Sequence, residues 1–162
     1  MKHLLGIILI LALGVGLAAT VIYNYTLDTP TVKNDGSYST VKLGGGQSYG
    51  QPGQPDLPWI GTKLLLPTGE QAQSIQIKFS SPQTMQVEKP VAPLQPQYPL
   101  SWEQTEPPVG PDPQIYSSAQ PFPQTAHNGV NTQFLAGHPI NFTAICPFSY
   151  SPLTGELVFF HN

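Results

Sequence analysis

The side chains best suited to nucleophilic or metal chemistry in this 162-residue chain are its single cysteine, Cys146, and the histidines His127, His138 and His161. A thiol beside an imidazole is the pair with which a cysteine peptidase makes its thiolate. The surroundings of Cys146 point elsewhere. It closes the alternating run Ile140, Phe142, Ala144, Cys146, in which a free cysteine packs as a small apolar group, and the histidines fall in turns or near the chain end. The histidines are widely spaced and carry no cysteine or carboxylate at ligand-like intervals, so no metal site or other cofactor is expected. Glu103, Glu106 and Asp112 sit in a proline-dominated stretch and read as solvent-facing charges rather than as an acid/base pair. Tyr49, Tyr98, Tyr116 and Tyr150 offer either a carbohydrate-stacking surface or, as scattered tyrosines more often do, core and rim packing. The chain contains no arginine, and its lysines beyond the N-terminal region are Lys63, Lys78 and Lys89. No catalytic constellation emerges, and the chain reads as a non-enzyme.

The elements that must position these residues are strands. From Gly53 the sequence reads GQPDLPWIGTKLLLPTGEQAQSIQIKF. Pro-Asp-Leu-Pro fixes an extended entry, because each proline locks its own φ and turns its predecessor away from helix. Thr62 to Leu66 is a short apolar run, Pro67-Thr68-Gly69-Glu70 is a turn, and Ile75, Ile77 and Phe79 then alternate with Gln76 and Lys78. The spacing predicts a hairpin with one buried face. Toward the C-terminus, Gln133–Ala136 and Ile140–Cys146 read as strands around Gly137-His138-Pro139. Pro152-Leu153-Thr154-Gly155 is a turn, and Leu157 to Phe160 a further apolar strand. Met85 and Val87 continue the strand begun at Ile75 or start a new one. Because the chain ends at Asn162 directly after an apolar strand, that strand is expected to leave an open edge for the N-terminal arm or a partner to cover.

Only 9% of residues are charged, the net charge is −3, and 19 residues are proline. That balance argues against a helical protein and against electrostatic capture of nucleic acid. Residues 1–19 have the pattern of a secretory signal peptide: Lys2 and His3, the apolar run Leu4 to Leu17, then small residues at the exit. The competing reading is an uncleaved anchor over Leu4 to Tyr23, long enough to span a bilayer. Residues 20–46 read as a loosely held, flexible arm in which Val41 and Leu43 form a short edge strand. Residues 90–123 form a Pro-rich loop that cannot donate regularly to a ladder. Its large apolar groups, Tyr98, Leu100, Trp102, Ile115, Tyr116 and Phe122, predict that it wraps the sheet and buries those rings in part. One cysteine excludes an internal disulfide. Asn24-Tyr25-Thr26 and Asn141-Phe142-Thr143 are formal glycosylation sequons. An all-β sandwich satisfies these alternating faces.

One order of signals is specific. Gly53, Pro55, Leu57 and Pro58, then Leu66-Pro67-x-Gly69, the alternating Ile75 and Ile77, the Pro-rich middle with Tyr116 and Pro123, and finally Pro147, Tyr150, Pro152, Gly155 and Leu157 follow one another across residues 47–160. In this order the chain resembles the N-terminal propeptide of gingipain-type cysteine peptidases. The resemblance implies a jelly-roll-type β-sandwich over residues 47–162, with strands contributed by the arm as well. It also implies a domain that assists folding of the peptidase and holds it latent by offering a basic side chain to the specificity pocket. Among the lysines, Lys89 is the candidate inhibitory or partner contact, since Pro90 holds it extended at the mouth of the long loop. A plug carried within the Pro-rich loop itself would be missing here, because no basic residue follows Lys89.

These readings converge on an exported, non-catalytic domain, secreted or held in the cell envelope, either free-standing or the front piece of a split or truncated precursor. Its partner is a cysteine peptidase or another exported protein, and it meets a membrane only through an uncleaved leader. The alternative is a cell-surface adhesion or carbohydrate-binding β-sandwich using its aromatic side chains.

Overall fold

A computed structural model describes residues 20–99, 101 and 106–162, so the leader and the side chains of Leu100, Trp102 and Glu103 lie outside the described residues. Among them are nine strands and one short helix: β1 (Thr31–Asp35), β2 (Tyr38–Lys42), β3 (Gly46–Ser48), β4 (Pro58–Leu65), β5 (Pro82–Gln86), α1 (Pro113–Tyr116), β6 (Asn131–Leu135), β7 (His138–Ile145), β8 (Phe148–Ser151) and β9 (Glu156–Phe160). They form three antiparallel sheets, ordered β1-β2, β3-β4-β7-β6 and β5-β9-β8. The fold is an all-β sandwich, as expected.

All three sheets feed one core: Val41 from β2, Trp59 from β4, Phe148 and Tyr150 from β8, Leu157 and Phe159 from β9, joined by Leu57, Val87, Val91 and Cys146 from the connections. Phe148 and Phe159, opposite each other on neighbouring strands, have ring centroids 5.0 Å apart. Cross-strand aromatic pairs of this kind add to the area they bury. Residues 20–46, read from composition as a loosely held arm, contain the β1–β2 hairpin and the first residue of β3 and place Ser39, Val41 and Leu43 in the interior.

Four sequence-based expectations are corrected. The hairpin from the Thr62–Leu66 run to Ile75–Phe79 does not form. Pro67–Glu70 does turn the chain, Glu70 N–H donating to Pro67 O at 3.1 Å, but β7 pairs with β4 from Ile60 through Leu65 while β3 takes its first residues. The chain after the turn departs from β4 toward the far side of β7, where Ala72 N–H donates to Thr132 Oγ1 of β6 at 3.0 Å.

The terminal apolar strand does not leave an open edge either. β9 is the central strand of its sheet, with β5 on one side and β8 on the other.

β7 is a strand as expected, but its more deeply buried residues are Pro139, Asn141 and Thr143; Ile140, Phe142 and Ala144 are half-buried, and Cys146 lies beyond the strand end. Hydrogen bonds explain the inversion. Asn141 Oδ1 accepts Asn131 N–H at 3.0 Å, Thr143 Oγ1 donates to Asn128 Oδ1 at 3.1 Å, and Thr62 Oγ1 donates to Thr143 O at 3.2 Å. Satisfied polar groups can be buried without the penalty of an orphan. The sequon at Asn141 is therefore closed to modification in the folded domain.

Asp112, expected to be a solvated charge, caps α1: its Oδ1 accepts Gln114 N–H at 2.9 Å, and Pro113 follows at the first helical position. Elsewhere the Pro-rich segment behaves as expected. Ile115, Tyr116 and Phe122 are half-buried, Tyr98 is exposed, and Phe122 bridges to Tyr150.

Candidate functional site

Lys89 stands where the Pro-rich segment leaves β5, and the residues on either side of it are held by the core. Before it, buried Val87 donates its N–H to Gly155 O at 2.8 Å, and Glu88 accepts Asn34 Nδ2 at 2.9 Å. After it, Ser39 brackets the chain: its N–H donates to Pro90 O and its carbonyl accepts Ala92 N–H, each at 2.8 Å. Val91, fully buried between them, donates its N–H to the Tyr150 hydroxyl at 3.1 Å and accepts from the Tyr116 hydroxyl at 2.7 Å. Both backbone groups of Val91 are thus satisfied by tyrosines from distant elements. Leu94 N–H to Gln54 O and Asp56 N–H to Ala92 O then zip the segment to the chain ahead of β4.

Lys89 itself is half-buried, and its Nζ donates to Gly36 O at the β1–β2 turn. One hydrogen bond at the surface is a light tether for an ammonium group. The arrangement presents a cation on a rigid base, and it suits recognition of a carboxylate or carbonyl acceptor. Lys63 lies instead over the Phe142 ring, 5.9 Å from its centroid, and Lys78 is exposed on the segment preceding β5.

Among the described residues no histidine is hydrogen-bonded to Cys146. Cys146 is fully buried, its Sγ 3.8 Å from Phe148 O, and burial pushes its thiol up to about 12. His127 Nδ1 accepts Gly129 N–H at 3.0 Å, His161 Nε2 is 2.9 Å from Gln83 Oε1, and His138 is exposed. A thiol so placed stays protonated and inert at neutral pH. Among the described residues there is no group of three or more His, Cys, Asp or Glu side chains arranged to hold a metal ion. The four tyrosines do not make a platform: Tyr150 is fully buried, Tyr116 is half-buried, and Tyr49 leans on Trp59 with centroids 5.0 Å apart. Burial raises the Tyr116 and Tyr150 phenols, helped at Tyr116 by the neighbouring Tyr150 and opposed at Tyr150 by the Val91 N–H.

The Propeptide_C25 family model matches residues 24–162, a span that includes all nine strands, α1, Lys89 and both tyrosines of the Val91 clamp. The chain belongs to the Propeptide_C25 family. Its fold is similar to that of gingipain K from Porphyromonas gingivalis, in a structure addressing zymogenic latency, with a TM-score of 0.65 and 19% identity over 85% of this chain and 79% of that one. It is similar as well to the complex of Porphyromonas gingivalis RgpB pro- and mature domains, with a TM-score of 0.68 and 15% identity over 85% of this chain and 73% of that one. At such identities the likeness shows a shared fold. No curated protein matches the chain. As a Propeptide_C25 domain, it has a Val91 clamp that sequence reasoning did not find. The local signal was an apolar residue set between two prolines, Pro90 and Pro93.

Proposed function

We propose that this Propeptide_C25 domain is exported by its leader to the cell envelope or medium and there binds a cysteine peptidase without catalysing a reaction itself. The family match across the whole strand set carries the reading. It serves as folding assistant, latency inhibitor or both, and Lys89 is its inhibitory contact. Two features of the site support that role. The clamp around Val91 holds the backbone two residues from Lys89, which lowers the entropy lost when the side chain is fixed by a partner. The bond from Nζ to Gly36 O is readily exchanged for a stronger, charge-assisted bond to a carboxylate.

The test is titration of the mature cysteine peptidase from the same source with the full chain, following residual activity and, separately, refolding yield. Stoichiometric inhibition that falls at least tenfold in Lys89→Ala, with refolding assistance unchanged, is the expected result. Binding without any loss in Lys89→Ala removes Lys89 from the contact, and no binding of the peptidase overturns the reading.

A further inference from the structure

Residues 74–80 alternate exposed and half-buried, with Ile75, Ile77 and Phe79 turned inward and Ser74, Gln76, Lys78 and Ser80 outward. A period of two is the mark of an extended strand. Its end is already a ladder: Ser80 N–H donates to Asn162 O at 2.7 Å, Asn162 N–H donates back to Ser80 O at 3.4 Å, and Phe79 stacks on Phe160 at 4.7 Å with an interplanar angle of 14°. From this doubly bonded pair, every second residue of an extended chain turns its N–H and C=O to the same side. Those residues are Lys78, Gln76 and Ser74. Their backbone groups, like those of the rest of 73–79, have no hydrogen-bond partner among the described residues.

We infer that the backbone edge of residues 74–80 is a strand-addition site for an extended segment of the peptidase partner, zipped from the Ser80–Asn162 pair and carrying an acidic residue opposite Lys78. The inference rests on the peptidase-binding reading for its occupant. Main-chain hydrogen bonds supply the affinity of such additions and alternate side chains their specificity. Charge selects the occupant. Lys78 is the only charged residue between Glu70 and Glu88, so a second copy paired antiparallel through this edge would bring two lysines onto adjacent strands, whereas an acidic side chain there is favoured. An outward lysine on an edge strand also suppresses aggregation through that edge.

Amide hydrogen exchange on the full chain tests this, alone, with the mature peptidase, and with a blocked hexapeptide of alternating Val and Thr bearing one Glu in register with Lys78. Residues 74–79 should exchange freely in the isolated chain and slow at least tenfold in the peptidase complex. Gln76→Pro keeps φ extended but deletes one N–H on the pairing side, and should weaken the complex at least tenfold; Gln76→Ala should not. A complex that leaves 74–79 unprotected, equal affinity of the two variants, or protection of 74–79 in the isolated chain through self-association overturns the site. Protection by the hexapeptide without any peptidase complex overturns the peptidase as occupant and sinks the reading on which it rests. Protection by neither overturns the strand-addition site itself.

Discussion

The Val91 N–H donates to the Tyr150 hydroxyl across 3.1 Å inside the core, tying the entrance of the Pro-rich segment to β8. Tyr150 is fully buried, so its hydroxyl is in place to serve this backbone donor rather than a ligand. Removing it in Tyr150→Phe leaves a buried N–H without an acceptor, which costs about 1–3 kcal/mol. Urea unfolding should show the midpoint falling with the slope unchanged. Tyr116→Phe strips the opposite partner from a half-buried position and should cost less.

Stability should fall on the alkaline side. The folded thiol of Cys146 sits at about 12 against an ordinary 9.0, and burial raises the phenols of Tyr116 and Tyr150 above their ordinary 10.0. Each group keeps its proton longer in the folded than in the unfolded chain. Their contribution is therefore complete below pH 9.0 and is lost as pH rises through the folded values. Thermal unfolding at a series of pH values from 7 upward should show a decline beginning near pH 9, with a shallower decline in Cys146→Ala. An identical slope in that variant would remove Cys146 from the account.

Gly155, at the turn between β8 and β9, has φ of +69°, and an added Cβ would fall 2.8 Å from Val87 O and 2.8 Å from Gln86 Nε2. The amide can swing aside; the carbonyl belongs to a residue whose own N–H is bonded to Gly155 O. Gly155→Ala should destabilise by about 1–3 kcal/mol through the left-handed backbone alone, with the clash in addition. Equilibrium denaturation measures it, and a neutral result would show that the turn relaxes.

Local patterning made much of this fold legible. Val41 marked β2, the Gly137 turn marked the β6–β7 hairpin, and the Pro152–Gly155 turn with Leu157 and Phe159 marked β9. Partner choice was not legible, because it is decided between distant segments. Nothing near Leu64 says that β7 will be its partner and that the chain after Pro67 will cross toward β6, and nothing near Phe159 says that β5, far earlier in sequence, will pair beside it. The polar burial at Asn141 and Thr143 was hidden because their partners, Asn128 and Asn131, lie in a stretch without apolar rhythm. At the candidate site the order Lys89-Pro90 was readable as a cation held extended. Its contact with Gly36 and the tyrosine clamp behind it depend on the β1–β2 hairpin, β8 and α1 meeting, which no window of sequence contains.

The placement of β9 sets a timetable. It is the latest strand in chain order, yet it lies between β5 and β8 and supplies the fully buried Leu157 and Phe159. A ribosome delivers this polypeptide from its N-terminus, so β5 waits without its neighbour through the synthesis of some seventy further residues, from Gln86 to Glu156. Until then the core lacks Leu157 and Phe159, and β5 and β8 have no strand between them to pair with. This half of the sandwich therefore closes only once β9 has emerged, and its resistance to unfolding is acquired late relative to the β1–β2 hairpin, whose strands are neighbours in sequence.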